Sequence, residues 1–339
     1  MKNIALIGLG KMGVSHFAIA NQTPGIRIKA ICDSSKPLLR IIEKNTGFRG
    51  FTDYRKMLQE VELDAVLILV PNAHHFDIVK YCVEHRLHVF VEKPLTLSFE
   101  DSKYLVDLAE AKNVKGQVGY VNRFNPIFQR VKHLLSASVI GEVSNYRNNM
   151  IGGVVLKRNS KGWRNQYEKG GGCLYDYGPH CFDLATYFFG GNVSVCSASL
   201  QRVYSTRVDD VVSATLLHDG AILGLNYVNW SDHSVRKASN SIEINGSGGR
   251  IVANKQELNI YLLKANEQLA LSDGWNQIFI TDEDTDVPYY LRGEDFSRQL
   301  VEFSELINDR IDESSSSLLS ASVTDKVISD VKISSQGLI

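Results

Sequence analysis

The chain has 339 residues, more than one hydrophobic core usually fills, so its length predicts two domains. Lysine and arginine number 37 against 38 aspartate and glutamate residues, so the basic excess typical of nucleic-acid and anionic-membrane binders is missing. The chain starts with an apolar strand pattern, MKNIALIG, rather than a signal peptide, and no apolar run is long enough to span a bilayer. We therefore expect a soluble, cytoplasmic protein without nucleic-acid or membrane partners.

The first 120 residues alternate short β-branched runs with helical patterns. The predicted strands are 4–7, 28–32, 65–70, 88–91 and 114–118. The predicted helices are 12–22, 36–45, 53–60, 74–86 and 98–112, the last of them starting with Ser98 in a capping-box pattern. Because parallel strands need crossover helices, this alternation predicts a doubly wound parallel sheet of the Rossmann type.

After residue 120 the pattern changes. Helical patterns at 125–138 and 179–189 precede alternating stretches at 193–204, 209–217, 221–230, 240–245 and 258–264, with a glycine turn at 246–249. These stretches predict a second α/β domain with a largely antiparallel sheet. A serine loop at 314–317 separates closing helices at about 294–310 and 319–334. We predict domains at 1–120 and 121–339, with the closing helices able to pack back on the first domain.

A dinucleotide-binding motif lies between the first strand and the first helix. Gly8, Gly10 and Gly13 form a GxGxxG run, in which glycine permits a tight turn, close approach to pyrophosphate and close helix packing. Asp33 follows Gly13 by twenty residues, where a carboxylate accepts hydrogen bonds from the ribose 2′-hydroxyl. The alternative for Asp33 is a helix N-cap. An acid at this position disfavours the 2′-phosphate of NADP, so NAD is the expected cofactor. Lys36 and Arg40 follow closely enough in the sequence to help bind such a phosphate, which weakens the preference.

Two further segments carry side chains suited to proton transfer. Lys93 follows the strand at 88–91 and is expected in the crevice at the strand ends, where its ammonium group can polarise a carbonyl or protonate an alkoxide. The run at 170–183, GGGCLYDYGPHCFD, contains Asp176, His180 and Asp183. If the run is helical from Asp176, all three share one face, and an imidazole suits proton transfer near neutrality.

Structural and metal-binding roles compete with these assignments. His180 could be a hydrogen-bonded core histidine and Asp176 a helix cap, and Cys173, Asp176 and His180 could be metal ligands without completing a recognised zinc pattern. The acidic run at 282–286 fits a surface turn better than a metal loop. We predict no metal, because no recognised ligand pattern is complete. We predict no disulfides, because the five cysteines are odd in number, scattered and without a CxxC pair.

The order of these motifs resembles the glucose–fructose oxidoreductase / inositol dehydrogenase (Gfo/Idh/MocA) family. The resemblance rests on the GxGxxG run at 8–13, EKP at 92–94 and GGGxLxDxGxHxxD at 170–183. It extends to Pro71-Asn72 with His75, GYVNRFNP at 119–126, Trp163-Arg164 and the closing helix. It implies a Rossmann domain followed by an α/β domain with a large, open, mostly antiparallel sheet, through which members form homodimers or homotetramers.

The resemblance also implies roles for individual residues. His180 would be the acid/base, Lys93 its polarising partner and Asp176 the group that orients it, with Lys93 and His180 meeting the nicotinamide from opposite domains. The implied cofactor-binding residues are Gly8, Leu9, Gly10, Lys11, Met12, Gly13, Asp33, Pro71, Asn72, His75, Glu92, Lys93, Trp163 and Arg164. The implied or candidate substrate-binding residues are Lys93, Tyr120, Arg123, Arg158, Asp176, His180 and Asp183.

The expected activity is reversible hydride transfer between NAD and a secondary hydroxyl of a sugar, cyclitol or sugar nucleotide. Two alternatives stay open. One is an NAD-dependent glycoside hydrolase, which the resemblance also allows and which would release a glycone without net reduction. The other is a non-catalytic dinucleotide sensor, which the presence of Lys93, Asp176 and His180 disfavours.

Overall fold

The computed structural model describes residues 1–158, 162–283 and 286–335. The chain divides into two compact units. The first comprises Met1–Phe124 and Asp286–Ser322, and the second comprises the described parts of Asn125–Thr285 and Val323–Ile339. The division into domains at residue 120 stays a prediction. No helix of the described residues is long and apolar enough to cross a membrane.

The first unit is built on a six-stranded parallel sheet. Its strands are β1 (Lys2–Ile7), β2 (Ile26–Cys32), β3 (Arg49–Phe51), β4 (Ala65–Ile68), β5 (His88–Val91) and β6 (Gly116–Val118). They are ordered β3-β2-β1-β4-β5-β6, which is the Rossmann order and confirms the predicted doubly wound sheet. Helices of this unit are α1 (Lys11–Ala20), α2 (Lys36–Thr46), α3 (Tyr54–Glu60), α4 (His75–Glu84), α5 (Phe99–Lys112) and α9 (Glu294–Ile307).

Two apolar layers cover the faces of this sheet. One face packs on residues of α4 and α5, and the other packs on α1 and α9 through Leu300 and Phe303. β4 is buried along its whole length and β5 from Val89 to Val91, which explains why the sequences of these two strands are continuous apolar runs. Ser98 caps α5 by accepting the Asp101 N–H at 3.1 Å, as its sequence pattern predicts.

The second unit contains an eight-stranded, mostly antiparallel sheet. Its strands are β7 (Val143–Ile151), β8 (Val193–Gln201), β9 (Val211–His218), β10 (Ile222–Asn229), β11 (Ser239–Gly246), β12 (Gly249–Asn254), β13 (Glu257–Leu262) and β14 (Gly274–Phe279). The order is β14-β13-β12-β11-β7-β10-β9-β8, and β7 with β10 is its parallel pair. The predicted antiparallel architecture is confirmed.

Helices cover one face of this second sheet. They are α6 (Pro126–Ser136), α7 (Cys173–Asp176) and α8 (Gly178–Phe189), while α10 (Leu318–Ser335) starts in the first unit and continues in the second. Apolar residues of α6 and α8 pack with the inward side chains of β7 and β11–β13. Short 3₁₀ turns complete the chain at Asn72–His74, Val121–Phe124, Trp163–Asn165, Tyr167–Lys169, Glu267–Leu269 and Ile280–Asp282.

Candidate functional site

The loop between β1 and α1 needs glycine at two positions. Gly8 has φ +96°, and a Cβ there would lie 2.6 Å from the Leu69 carbonyl oxygen. A Cβ at Gly13 would lie 2.1 Å from the Gly8 carbonyl oxygen, so the helix can pack this closely only without a side chain. Gly10 differs, because open space lies where its Cβ would project. The loop therefore leaves room beside its backbone at Gly10.

The N-terminus of α1 offers donors to an anion at the same place. Gly10 is the N-cap and supplies no side-chain cap, and the first turn of this fully described helix has no acidic residue. Lys11 and Met12 occupy that turn, with Lys11 exposed. Because the first N–H groups of a helix lack internal partners and carry the positive end of its dipole, this end suits a pyrophosphate. The residues present fit a dinucleotide.

Asp33 connects the glycine loop to the segment after β2. One of its carboxylate oxygens accepts the Leu9 N–H at 2.7 Å, and the other accepts the Ser35 N–H at 2.8 Å. Each oxygen keeps a second lone pair, so the carboxylate can still accept from ribose hydroxyls. The N-cap of α2 is Ser35, whose hydroxyl accepts the Leu38 N–H. The alternative reading of Asp33 as a helix N-cap is therefore wrong.

His75 lies beneath the loops that follow β4 and β5. Its side chain is completely buried, with Nδ1 2.8 Å from the Pro94 carbonyl oxygen and Nε2 3.0 Å from the Val70 carbonyl oxygen. Burial lowers the pKa of His75, and the two carbonyl groups oppose that effect. The imidazole thus ties the two loops together. Pro71 is exposed before it, and Asn72 is buried.

Glu92 and His16 form a buried pair directly before Lys93. Glu92 Oε1 lies 2.8 Å from His16 Nε2, and Glu92 Oε2 lies 3.3 Å from the Lys93 backbone nitrogen. Burial would raise the pKa of Glu92, but the hydrogen bond and charge of His16 and the charge of Lys93 hold it below its usual value. Sequence analysis missed His16, although its position three residues after Gly13 puts both on one helix face.

Tyr120 and Arg123 are both buried within the first unit. The Arg123 guanidinium donates to the Ser315 carbonyl at 2.8 Å and to the Ser320 hydroxyl at 2.9 Å. Its Cζ lies 5.6 Å from the centroid of the Tyr120 ring. These bonds anchor the serine segment predicted as a loop. A substrate-binding role for either residue stays a prediction.

In the second unit, the glycine run before α7 packs on Asp209. A Cβ at Gly172, where φ is +111°, would lie 2.5 Å from Asp209 Oδ1. Asp209 Oδ2 accepts the Leu174 N–H at 2.6 Å, and its carbonyl oxygen accepts the Cys173 N–H at 2.9 Å. Burial raises the pKa of Asp209 to about 6. Asp209 therefore positions the start of α7, a role that sequence analysis missed.

The run from Asp176 to Asp183 is not one continuous helix. α7 ends at Asp176, and α8 begins at Gly178 after Tyr177. Pro179 explains the break, because proline has no N–H for an interior helical bond but suits a first turn. The helix expected to run on from Asp176 is therefore interrupted at Tyr177, whereas His180 and Asp183 keep the three-residue spacing of one face within α8. A shared face with Asp176 stays a prediction.

Asp176 and Arg164 form an ion pair beside this break. Arg164 Nε lies 2.6 Å from Asp176 Oδ2, and the Asp176 side chain is only 8% exposed. Arg164 Cζ also lies 4.7 Å from the centroid of the Trp163 ring. The pair fixes the orientation of the Asp176 carboxylate.

His180 and Asp183 lie on successive turns of α8 and differ in exposure. His180 is partly exposed, so its imidazole is accessible in this unit. Asp183 is completely buried, and its Oδ1 accepts the Thr324 hydroxyl at 3.2 Å. Arg158 is exposed on the loop after β7, directly before residues outside the described part of the chain.

No cluster of three histidine, cysteine, aspartate or glutamate side chains suited to a metal ion occurs in residues 1–158, 162–283 and 286–335. Cys173, Asp176 and His180 thus do not form such a group. Burial raises the pKa of the Cys173 thiol well above its usual value, which opposes a thiolate ligand. The acidic run at 282–286 lies partly outside the described residues.

Comparison with known proteins places the chain in a family. The model of the oxidoreductase family with an NAD-binding Rossmann fold (Gfo/Idh/MocA) matches residues 2–120, and that of the Gfo/Idh/MocA C-terminal domain matches residues 128–252. The chain is 31% identical to dTDP-3,4-didehydro-2,6-dideoxy-alpha-D-glucose 3-reductase of Saccharopolyspora spinosa over 74% of this chain and 75% of the relative. The chain belongs to the Gfo/Idh/MocA family. Its Rossmann unit is accordingly an NAD-binding one, as the glycine loop and Asp33 predict.

Other relatives match at lower identity, and one of them over a shorter part of the chain. The scyllo-inositol 2-dehydrogenase (NAD(+)) of Bacillus subtilis is 29% identical over 57% of this chain, and the match spans 55% of that relative's length. The structure of levoglucosan dehydrogenase with NADH and levoglucosan superposes with a TM-score of 0.87 at 22% identity, covering 99% of this chain and 97% of that one. An oxidoreductase domain protein from Kribbella flavida gives a TM-score of 0.88 at 23% identity, with 99% and 98% covered. These two structures support the fold.

Proposed function

We propose that the protein is an NAD-dependent oxidoreductase that reversibly transfers hydride at a secondary hydroxyl of a sugar, cyclitol or sugar nucleotide. The observation that carries the proposal is the glycine loop with its uncapped helix N-terminus, joined to a carboxylate at Asp33. The named relatives are dehydrogenases and reductases of this class of compound. Family membership and these residues together favour catalysis over a sensor role.

The residues of this chain are assigned to binding, proton transfer and orientation. The dinucleotide is held by the loop from Gly8 to Gly13 and by Asp33, and when bound it supplies the hydride acceptor or donor. We assign His180 as the group that takes up or returns the hydroxyl proton, because its imidazole is accessible and suits that transfer near neutral pH. Lys93 stabilises charge on the reacting oxygen.

Asp176 and Asp183 are assigned supporting roles. Asp176, fixed by Arg164, orients the acid/base, and Asp183 is proposed as a substrate-binding residue. The remaining cofactor and substrate contacts predicted from the sequence are part of the same proposal.

A substrate panel tests the activity. Purified protein is incubated with NAD and sugars, inositols and nucleotide sugars, and NADH formation is followed by absorbance. Lys93→Ala should lower kcat by about 10²- to 10⁴-fold, the usual contribution of a positioned proton-transfer group, without loss of NADH binding. Lys103→Ala, an exposed lysine of α5, is the matched control. Unchanged turnover in Lys93→Ala would refute the catalytic assignment, and glycone release without NADH formation would favour the glycosidase.

We also propose that the protein is a cytoplasmic homodimer or homotetramer. The outward side of the eight-stranded sheet supports the assembly, because Leu225, Trp275 and Phe279 on its strands are each more than 40% exposed. The Trp275 ring also contacts the exposed Tyr261 ring at a centroid distance of 5.4 Å, and contiguous exposed apolar surface of this kind marks interaction surfaces. Light scattering after gel filtration measures the mass, and Trp275→Glu should shift it towards that of a monomer. A monomeric mass for the wild-type protein would contradict the proposal.

A further inference from the structure

Four strands of the second unit end in a row along one edge of its sheet. Register pairs Gln201 at the end of β8 with Val211 at the start of β9, and Val211 with Asn229 at the end of β10. Asn229 pairs in turn with Ile151 at the end of β7. The described parts of three loops, 152–158 with 162–172, 202–210 and 230–238, leave the sheet at this row. They form what we call the strand-end loops.

The strand-end loops are linked to one another by hydrogen bonds. The Tyr204 hydroxyl lies 3.0 Å from His233 Nε2, which joins the second and third loops. Trp230 Nε1 donates to Asp210 Oδ1 at 2.7 Å within the same pair of loops. The Asp232 N–H donates to the Gly152 carbonyl at 3.2 Å, which joins the third loop to the first. The three loops are therefore one surface.

This surface is strongly cationic. The described residues of the three loops include four lysine or arginine side chains in the first and two in each of the others, namely Lys157, Arg158, Arg164, Lys169, Arg202, Arg207, Arg236 and Lys237, all exposed. Of the acids in these described segments, Asp209 and Asp210 are buried and Glu168 is exposed, while Asp232 is intermediate. In a chain with 37 basic and 38 acidic residues, this is a local concentration of positive charge.

The opposite ends of the same four strands have the reverse charge. The fully described segments 140–142, 190–192 and 219–221 contain the acids Glu142 and Asp219 and no lysine or arginine. The asymmetry thus belongs to the two ends of these four strands. The cationic end is the one carrying α7, because Asp209 of the second loop holds the Leu174 and Cys173 N–H groups. Arg202 acts electrostatically on the same Asp209 carboxylate.

We infer that the strand-end loops bind an anionic group of the substrate, so that the hydroxyl compound oxidised or formed here carries a phosphate, diphosphate or carboxylate. The inference rests on the proposed function for the reaction itself. A neutral polyol is recognised by hydrogen bonds alone and gives no reason for the seven cations beside α7 and α8 other than Arg164, which pairs with Asp176. Arginine forks match phosphate and carboxylate oxygens in pairs, which gives charge and direction together.

The test compares charged and neutral probes on the NADH-loaded or NAD-loaded protein. UDP-glucose, glucose 1-phosphate and glucuronate are set against glucose and myo-inositol, with binding measured by calorimetry and turnover by NADH absorbance. We expect at least one charged probe to bind about tenfold or more tightly than both neutral ones, since hydrogen bonds to charged groups are the stronger ones. Raising the salt concentration should weaken that binding, because exposed charges are screened.

A double variant identifies the surface responsible. Arg207→Gln with Arg236→Gln should raise the KM or Kd of the preferred charged probe about tenfold and leave that of neutral probes unchanged. Arg250→Gln with Lys264→Gln removes the same charge at the opposite end of the sheet and should change neither. Tighter or equal binding of the neutral probes, no binding of any charged probe, or equal effects of the two double variants would each overturn the inference.

The outcomes separate this inference from the proposed function. NADH formation with glucose or myo-inositol but with no charged probe would refute the anionic substrate and support the oxidoreductase. Salt-sensitive binding of a charged probe, abolished by the first double variant, with no NADH formation from any probe would support the anion site and count against the proposed activity. The three charged probes distinguish nucleotide, phosphate and carboxylate sources of the anion.

Discussion

The His16–Glu92 pair gives the sharpest prediction about the first unit. His16 is completely buried, the Glu92 side chain is 14% exposed, and their Nε2 and Oε1 atoms lie 2.8 Å apart. His16 also packs on the rings of Phe90 and Phe296, at centroid distances of 5.2 and 6.2 Å. His16→Phe keeps an aromatic ring of similar size but removes the donor. The substitution therefore isolates the hydrogen bond from most of the packing.

The expected loss of stability depends on the hydrogen-bond partner that Glu92 keeps in the His16→Phe variant. A hydrogen bond to a charged group contributes about 1.5–3 kcal/mol, and an uncompensated buried charge costs about 3–5 kcal/mol. The Lys93 N–H at 3.3 Å remains as a long, weak partner, so we expect a loss of about 3 kcal/mol in the free energy of unfolding. That is about a hundredfold in the unfolding equilibrium constant. His16→Gln, which keeps an N–H donor, should lose less.

Urea unfolding at neutral pH, followed by circular dichroism, measures the effect. Ser15→Ala is the control, because Ser15 lies next to His16 on α1 and its hydroxyl donates to the exposed Lys11 carbonyl oxygen at 3.1 Å. The pKa of Glu92 is lower in the folded protein than its ordinary value of 4.5, so its carboxylate stabilises the fold above pH 4.5, and this stabilisation is lost as the pH falls and the group protonates. The destabilisation caused by His16→Phe should therefore shrink below pH 4.5. A His16→Phe stability within 0.5 kcal/mol of wild type would refute the reasoning.

The remaining predictions concern the two glycine loops. Gly13→Ala should abolish measurable NADH binding or folding, because its Cβ would lie 2.1 Å from the Gly8 carbonyl oxygen. Gly10→Ala should still fold, because its Cβ would project into open space. Thermal melts measure the folding of both variants, and fluorescence titration measures their NADH binding. Asp209 has a folded pKa raised to about 6, so its contribution to stability is present below pH 3.8 and is lost as pH rises through about 6. Asp209→Asn should remove that pH-dependent component from unfolding curves recorded between pH 4 and 7, and an unchanged slope would contradict it.

The predictable parts of the fold are those where local pattern and tertiary packing agree. The strands β4 and β5 of the Rossmann sheet are almost wholly buried, so their apolar runs are visible in the sequence, and β5 matches its predicted bounds. The glycine turn at 246–249 joins β11 to β12 because two residues suffice for a hairpin. The GxGxxG motif predicts the close backbone contacts at Gly8 and Gly13, since only glycine fits at these two positions.

The central strand β7 was not predicted, and its composition explains why. Its sequence, VSNYRNNMI, contains three asparagines, which are depleted in strands, and a buried one where an apolar residue is expected. Asn148 is completely buried and donates to the Cys181 carbonyl at 2.7 Å. A hydrogen bond to α8 thus replaces apolar burial at this position. Such a partner lies 33 residues away and cannot be read from a local pattern.

The candidate site shows the same limit at the level of side chains. A motif gives the position of His75 in the chain but not that its imidazole lies between the Val70 and Pro94 carbonyls, and its contact with the cofactor stays a prediction. The ion pair of Arg164 with Asp176 is likewise not visible in the sequence, and the place of Arg164 beside the cofactor stays a prediction. In both cases the direction of the side chain depends on partners distant in sequence. His16 is the opposite case, because it belongs to no recognised motif and yet its imidazole contacts Glu92, the residue before Lys93. The geometry of the EKP motif therefore depends on α1, a helix that the sequence marks mainly by the glycines at its start.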